Sequence, residues 1–203
     1  MLIVLKLAYY KWGERMILEN QLCSIEIKID VTYTIDSADN ASYDMVYNPN
    51  EFKRGDFYKT FSILIKHDSG SYRIALIGDY FIYDVDCAML EGDILTILQN
   101  DSIIQLKTTD GSLKLCKKID TCGVNFGIYP IATGYILYGE IEIIMLDLDF
   151  NVKWRFSGQD IFVSLSGKNT FTICEHFIRL IDFEDNYYEV DFSGKLLNQG
   201  KVY

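Results

Sequence analysis

Asp147-x-Asp149-x-Asn151 opens like a calcium loop, because oxygen side chains at alternate positions converge on a hard cation. Such a loop needs glycine at its sixth position and glutamate at its twelfth. The chain has Val152 and Gly158 there, so a solvated turn is expected. Gly167-Lys168 carries the end of a phosphate-binding loop, whose amides wrap phosphates and whose lysine reaches the terminal oxygens. Phe162 replaces its earlier glycine and Asn169 its hydroxyl, which leaves a surface turn. Cys174 and His176 stand two apart in an expected strand, on one face, where zinc or a thiolate–imidazole pair would want them. With two histidines in the chain a metal site needs distant partners, and a buried thiol beside a hydrogen-bonded imidazole is the simpler reading. His67 sits beside a turn. There is no Gly-x-Ser-x-Gly elbow, and Asp and Glu are too plentiful for any one pair to mark a glycosidase. No catalytic residue, metal ligand or cofactor is assigned, and the chain leans away from an enzyme.

Residue types suited to binding stand out more. The polar stretch Ser37–Asp56 holds Tyr43, Tyr47 and Phe52 next to Lys53 and Arg54, which supply contact area and directed hydrogen bonds at interfaces. These five residues are the candidate partner-binding site of a long surface loop. The competing expectation is that the aromatics tuck the loop onto its own sheet. Tyr129, Tyr135 and Tyr138, around Gly127, Pro130 and Gly134, either line a pocket or are buried in a sheet.

The elements that position these residues read as strands. From Cys23 to Asp36 apolar and polar residues alternate, which predicts a half-buried strand long enough to bend, bulge or serve two sheets. Phe61, Ile63 and Ile65 lead into Asp68-Ser69-Gly70-Ser71 and return through Tyr72, Ile74 and Leu76, a hairpin ending at Gly78-Asp79. Beyond it, short β-type runs follow one another between Asp, Asn and Gly. Three of them share a pattern whose period runs from roughly 35 to roughly 40 residues. Ile103–Leu106 precedes Asp110-Gly111-Ser112, Ile143–Leu146 precedes Asp149-Phe150-Asn151, and Phe177–Leu180 precedes Glu184-Asp185-Asn186. Alternation resumes after each turn, and the second and third copies close with Phe156-Ser157-Gly158 and Phe192-Ser193-Gly194.

The run from Leu146 through Asp149, Asn151 and Trp154 to Phe156 resembles a blade of the quinoprotein-like and WD-like β-propellers, where a turn precedes a strand with a buried tryptophan. The resemblance covers residues 85–203. The Thr-Gly of quinoprotein turns and the Trp-Asp and Gly-His of WD blades are absent, so no quinone cofactor is implied. Propellers use about 4–8 blades, so either the N-terminal strands complete the ring or the array ends openly.

Bulk composition agrees with a folded all-β chain. Hydrophobic residues make up 49% and charged residues 24%. That is enough apolar material to offset the ordering entropy. One all-β domain over residues 1–203 is expected, with N-terminal strands and the long loop in 1–80 and propeller-like hairpins in 81–203. A net charge of −10 disfavours nucleic acid and anionic membrane and suits a basic protein partner. Five scattered cysteines without a CxxC pair point to reduced thiols and the cytoplasm. Met1–Tyr10 lacks a basic n-region and a cleavage site and reads as folded structure, and Lys6, Lys11, Glu14 and Arg15 interrupt any spanning helix. The function expected is a non-catalytic protein-binding module of the adaptor or bacterial immunity kind. A carboxylate-based hydrolase acting on carbohydrate or another small ligand is the alternative, and a homodimer through a strand edge is a third expectation.

Overall fold

The computed structural model describes residues 15–79, 85–165 and 167–202 of the 203-residue chain. The reading of Met1–Tyr10 lies outside the described residues. The chain divides into two compact units, one up to Lys118 and one from Ile119. Nearly all the described elements are strands, in four sheets, and no described helix is long and apolar enough to cross a membrane.

The first unit contains β1 (Arg15–Glu19), β2 (Ser24–Ile29), β3 (Met45–Tyr47), β4 (Lys59–His67) and β5 (Gly70–Gly78), in the order β1-β2-β4-β5-β3. Without β3 this is a plain four-stranded antiparallel meander. Alternation in β2 buries Ile25 and Ile27 completely, and Ile63, Ile65, Ile74 and Leu76 meet them in the core. His67 pairs with Gly70 across the two-residue turn Asp68-Ser69, as the hairpin pattern predicts. Gly70 there takes φ 149°.

The long strand expected over Cys23–Asp36 ends at Ile29. The Asp30 carboxylate accepts the backbone N–H groups of Thr32 (3.0 Å) and Tyr33 (3.2 Å). This local turn outcompetes the ladder. It leaves Val31 84% exposed. β2 also lies between β1 and β4, both of which it pairs, so it offers no free edge. The chain from Asp30 onward crosses to the far side of the sheet. There β3 joins β5 in parallel, Met45 opposite Ile74 and Tyr47 opposite Leu76.

β6 (Ala88–Glu91), β7 (Ile94–Gln99), β8 (Ser102–Lys107) and β9 (Leu113–Lys118) form the unit's second meander, sharing its core through Leu95, Ile97, Ile104 and Leu106. The second unit holds two more. These are β10 (Asn125–Ile131), β11 (Gly134–Gly139), β12 (Glu142–Leu146) and β13 (Val152–Ser157), then β14 (Phe171–Ile173), β15 (Phe177–Ile181), β16 (Asn186–Asp191) and β17 (Leu196–Lys201). Their common core contains Ile136, Tyr138, Ile143, Ile178, Leu180, Tyr188 and Val190. In each of these last three meanders the fourth strand is the most solvent-exposed. The fold is all-β and propeller-like.

One turn recurs in the second unit. Asp147 accepts the N–H groups of Asp149 (3.0 Å) and Asn151 (2.8 Å), Asp182 those of Glu184 (3.0 Å) and Asn186 (2.9 Å), and Asp191 those of Ser193 (2.8 Å) and Lys195 (3.0 Å). The fourth residue of each turn is left-handed, with φ 58° at Phe150, 63° at Asp185 and 88° at Gly194. Such residues let a chain reverse tightly between strands. The turn appears at both ends of β16, and this displaces the third copy of the sequence pattern. Phe177–Asn186 falls on β15 and β16, the second and third strands of its sheet, whereas the first two copies fall on third and fourth strands. Phe156-Ser157-Gly158 accordingly ends a strand, while Phe192-Ser193-Gly194 forms a turn.

Candidate functional site

The connection from β2 to β4 is built by its own hydrogen bonds. Asn40 donates to the Thr34 carbonyl (2.6 Å) and accepts the Thr34 N–H (2.8 Å), and Asn48 does the same with Phe52 at 2.7 and 3.0 Å. Reciprocal side-chain bonds of this kind replace a ladder where the chain has none. The three aromatic candidates pin this connection to the unit beneath. Tyr43 is half-buried, donates to Asp30 (2.6 Å) and meets Tyr33 edge-on. Tyr47 donates to the Gly111 carbonyl (3.0 Å), and Phe52 packs near Tyr58. Burial drives the phenol of Tyr43 up to about 12, helped by the neighbouring Asp30 carboxylate.

Lys53 and Arg54 stand apart from these aromatics, at an exposed turn. The Lys53 N–H donates to the Asp56 carboxylate (2.7 Å) and the Asp56 N–H to the Lys53 carbonyl (3.0 Å), while Gly55 supplies φ 101°. These two bonds close the turn on its solvent-exposed side. Phe57 follows, 68% exposed, with the Lys59 ammonium 5.9 Å from its ring centre. Sequence reading missed Phe57, for which the pattern carries no signal beyond its place after the Lys-Arg-Gly-Asp turn. The five candidate residues thus separate into three anchors and two presented cations.

A concavity of about 360 Å³ lies between the β1–β2 turn and the start of the β4–β5 turn, lined among others by Glu19, Leu22, Cys23, Lys66 and His67. The His67 ring nitrogens stand 3.1 Å from the Leu22 carbonyl and 2.6 Å from that of Thr108, and Tyr72 stacks on the ring and donates to the Thr108 carbonyl. Burial pushes the Cys23 thiol upward, against thiolate formation. The arrangement ties three chain segments together and offers no activated nucleophile.

The other candidates resolve into structure. Cys174 and His176 lie in the connection between β14 and β15 and not on a strand, since the Cys174 N–H closes onto the Phe177 carbonyl (2.8 Å). The His176 side chain is 81% exposed beside Glu175. Asp147 spends its oxygens on its own turn, and those bonds, led by Asn151, lower its pKa. Lys168 pairs with Asp185 at 2.6 Å. Tyr135 and Tyr138 are buried, Tyr138 stacking on Phe171 and donating to the Phe162 carbonyl (2.8 Å). Among the described residues no three His, Cys, Asp or Glu side chains come close enough to hold a metal ion.

No protein-family model matches the chain, and comparison with curated proteins finds no match. Among solved structures the chain is similar to BamB from Moraxella catarrhalis, with 8% identity over 96% of this chain and 63% of that one, at a TM-score of 0.45. It is also similar to HIRA(644-1017), with 10% identity over 97% of this chain and 56% of that one, at a TM-score of 0.48. The chain spans less than two thirds of either.

Proposed function

We propose that this chain is a non-catalytic protein-binding module, of the adaptor or immunity kind, that meets its partner through the turn Lys53–Phe57. The observation that carries this reading is the division of the β2–β4 connection. Its aromatics are used internally, while Lys53, Arg54 and Phe57 are held in solvent by a closed turn. A pre-shaped turn loses little freedom on binding, and arginine and aromatics are the types that dominate contact energy. The net charge of −10 suits a basic surface on the rest of that partner, and a second copy of the chain, paired at a strand edge, belongs to the same reading.

Five carboxylates are taken up by the turns they cap. Asp30, Asp110, Asp147, Asp182 and Asp191 have lowered pKa values, through hydrogen bonds that in Asp30 and Asp182 outweigh an opposing effect of burial. Lowered carboxylates serve as turn caps, whereas a hydrolase's general acid needs a raised one. Affinity capture from the source cells tests the proposal with the native chain beside a Lys53→Ala, Arg54→Ala, Phe57→Ala variant. The partner should be lost from the variant, and identical capture by both would contradict the assignment.

A further inference from the structure

The four meanders protect their outer edges in different ways. In the first, β3 covers β5 and leaves an edge of three residues. Among the described residues the fourth strand is the edge in the other three, and each carries a bulge at the same place. Leu113 and Leu115 pair with Leu106 and Gln105, Val152 and Trp154 with Leu146 and Met145, and Leu196 and Asn198 with Val190 and Glu189. The extra residue is Lys114 in β9, Lys153 in β13 and Leu197 in β17. Lysine at an outer edge is a common device against pairing with another chain. β9 adds Lys117 and Lys118, and β13 adds Arg155. β17 has no charge from Leu196 to Gly200, and Leu196 and Leu197 are 38% and 52% exposed.

We infer that β17 is a pairing edge whose occupant is β17 of a second copy of this chain, antiparallel about a two-fold axis. The charges single out self-pairing. A two-fold normal to the sheet sets a central residue against its own copy, because opposed residues share a face; centred on Gln199 it sets Asn198 against Gly200 and Leu197 against Lys201 of the second copy, with no like charges opposed. The same operation centred on Cys116 in β9 sets Lys114 against Lys118, and pairing centred on Trp154 in β13 sets Lys153 against Arg155. Two such copies join their four-stranded sheets into one of eight, β14 to β17 and back. A contact of one six-residue strand is smaller than a typical stable interface, so the dimer is weak and concentration-dependent. The inference shares with the proposed function the premise that the chain binds protein, and it names one partner and its edge.

Analytical ultracentrifugation of the purified chain over a concentration series tests it without any lysate, so its failure leaves the Lys53–Phe57 contact standing. The native chain should move from 23.5 kDa toward twice that mass. Asn198→Lys with Gln199→Lys places lysine against lysine at the centre and should weaken dimerisation about tenfold or more. Both positions are exposed, and circular dichroism confirms folding of the variant. Mixing it with an Asn198→Glu, Gln199→Glu variant should restore a mixed dimer. A native chain monomeric throughout overturns the inference, including one that uses β17 to hold a different protein. So does a dimer that none of these substitutions moves.

Discussion

The Tyr188 hydroxyl donates to the Asp182 carboxylate at 2.7 Å, inside the core of the second unit. Asp182 also accepts from the N–H groups of Glu184 and Asn186 and from the Asn186 side chain, which makes it the anchor of the β15–β16 turn. The residue is 1% exposed. Asp182→Ala strands these donors and should lower stability by about 2–4 kcal/mol in denaturant unfolding. Burial works to raise the pKa of Asp182, but bonds from Asn186, Tyr188 and the turn outweigh it and hold it low. A lowered folded-state pKa gives stability that is present above the unfolded carboxylate range and is lost as pH falls through the folded value. The difference between the native chain and Asp182→Asn should be constant near neutrality and shrink below about pH 4.

Gly194 carries the turn between β16 and β17 directly under Trp154, whose indole N–H donates to the Phe192 carbonyl at 3.1 Å. A Cβ on Gly194 would lie 2.8 Å from the indole, and φ is 88°. Gly194→Ala should cost about 1–3 kcal/mol and lower the melting temperature by about 3–8 °C. An unchanged melting temperature would mean that the indole does not rest on this turn.

The strand class, the β4–β5 hairpin and the recurrence of hairpins were legible because period-two alternation has one cause, burial of a single face. Alternation misled at Cys23–Asp36, where Asp30 diverts the chain with bonds to Thr32 and Tyr33 that no periodicity records. It also could not phase the repeat, since Asp182 and Asp191 make the same turn at both ends of one strand. The loop residues were chosen by type alone. Type does not tell an anchor such as Tyr47, bonded to the distant Gly111, from a presented cation such as Arg54.

Tyr43 and Tyr72 are both pushed up to about 12, chiefly by burial. Each favours the folded state fully below the unfolded phenol value, near 10, and loses that contribution as pH rises toward 12. Ultraviolet titration should show a late-ionising set of phenols that includes Tyr43 and Tyr72, with Tyr33, Tyr138 and Tyr188 also held above the ordinary value by burial. Tyr43→Phe and Tyr72→Phe should each remove one and flatten the alkaline loss of stability, and a titration with every tyrosine near pH 10 would contradict this.

Cys23, Cys116, Cys122 and Cys174 are free thiols, with Cys23 buried and Cys122 exposed. Burial raises the thiols of Cys23 and Cys116. Labelling with a thiol-specific disulfide reagent at neutral pH should modify Cys122 first and Cys23 only on unfolding, read by peptide mass spectrometry. Early labelling of Cys23 would show that the core around β2 opens.

The most direct test of the proposed function places a photo-crosslinking amino acid at Phe57, in the exposed turn, and at the comparably exposed Leu148 as a control. After irradiation in extract of the source cells, the account predicts one discrete adduct from position 57 that disappears with Lys53→Ala and Arg54→Ala, and none from position 148. No adduct from 57, or the same adducts from both positions, would contradict the claim that this turn is the binding surface.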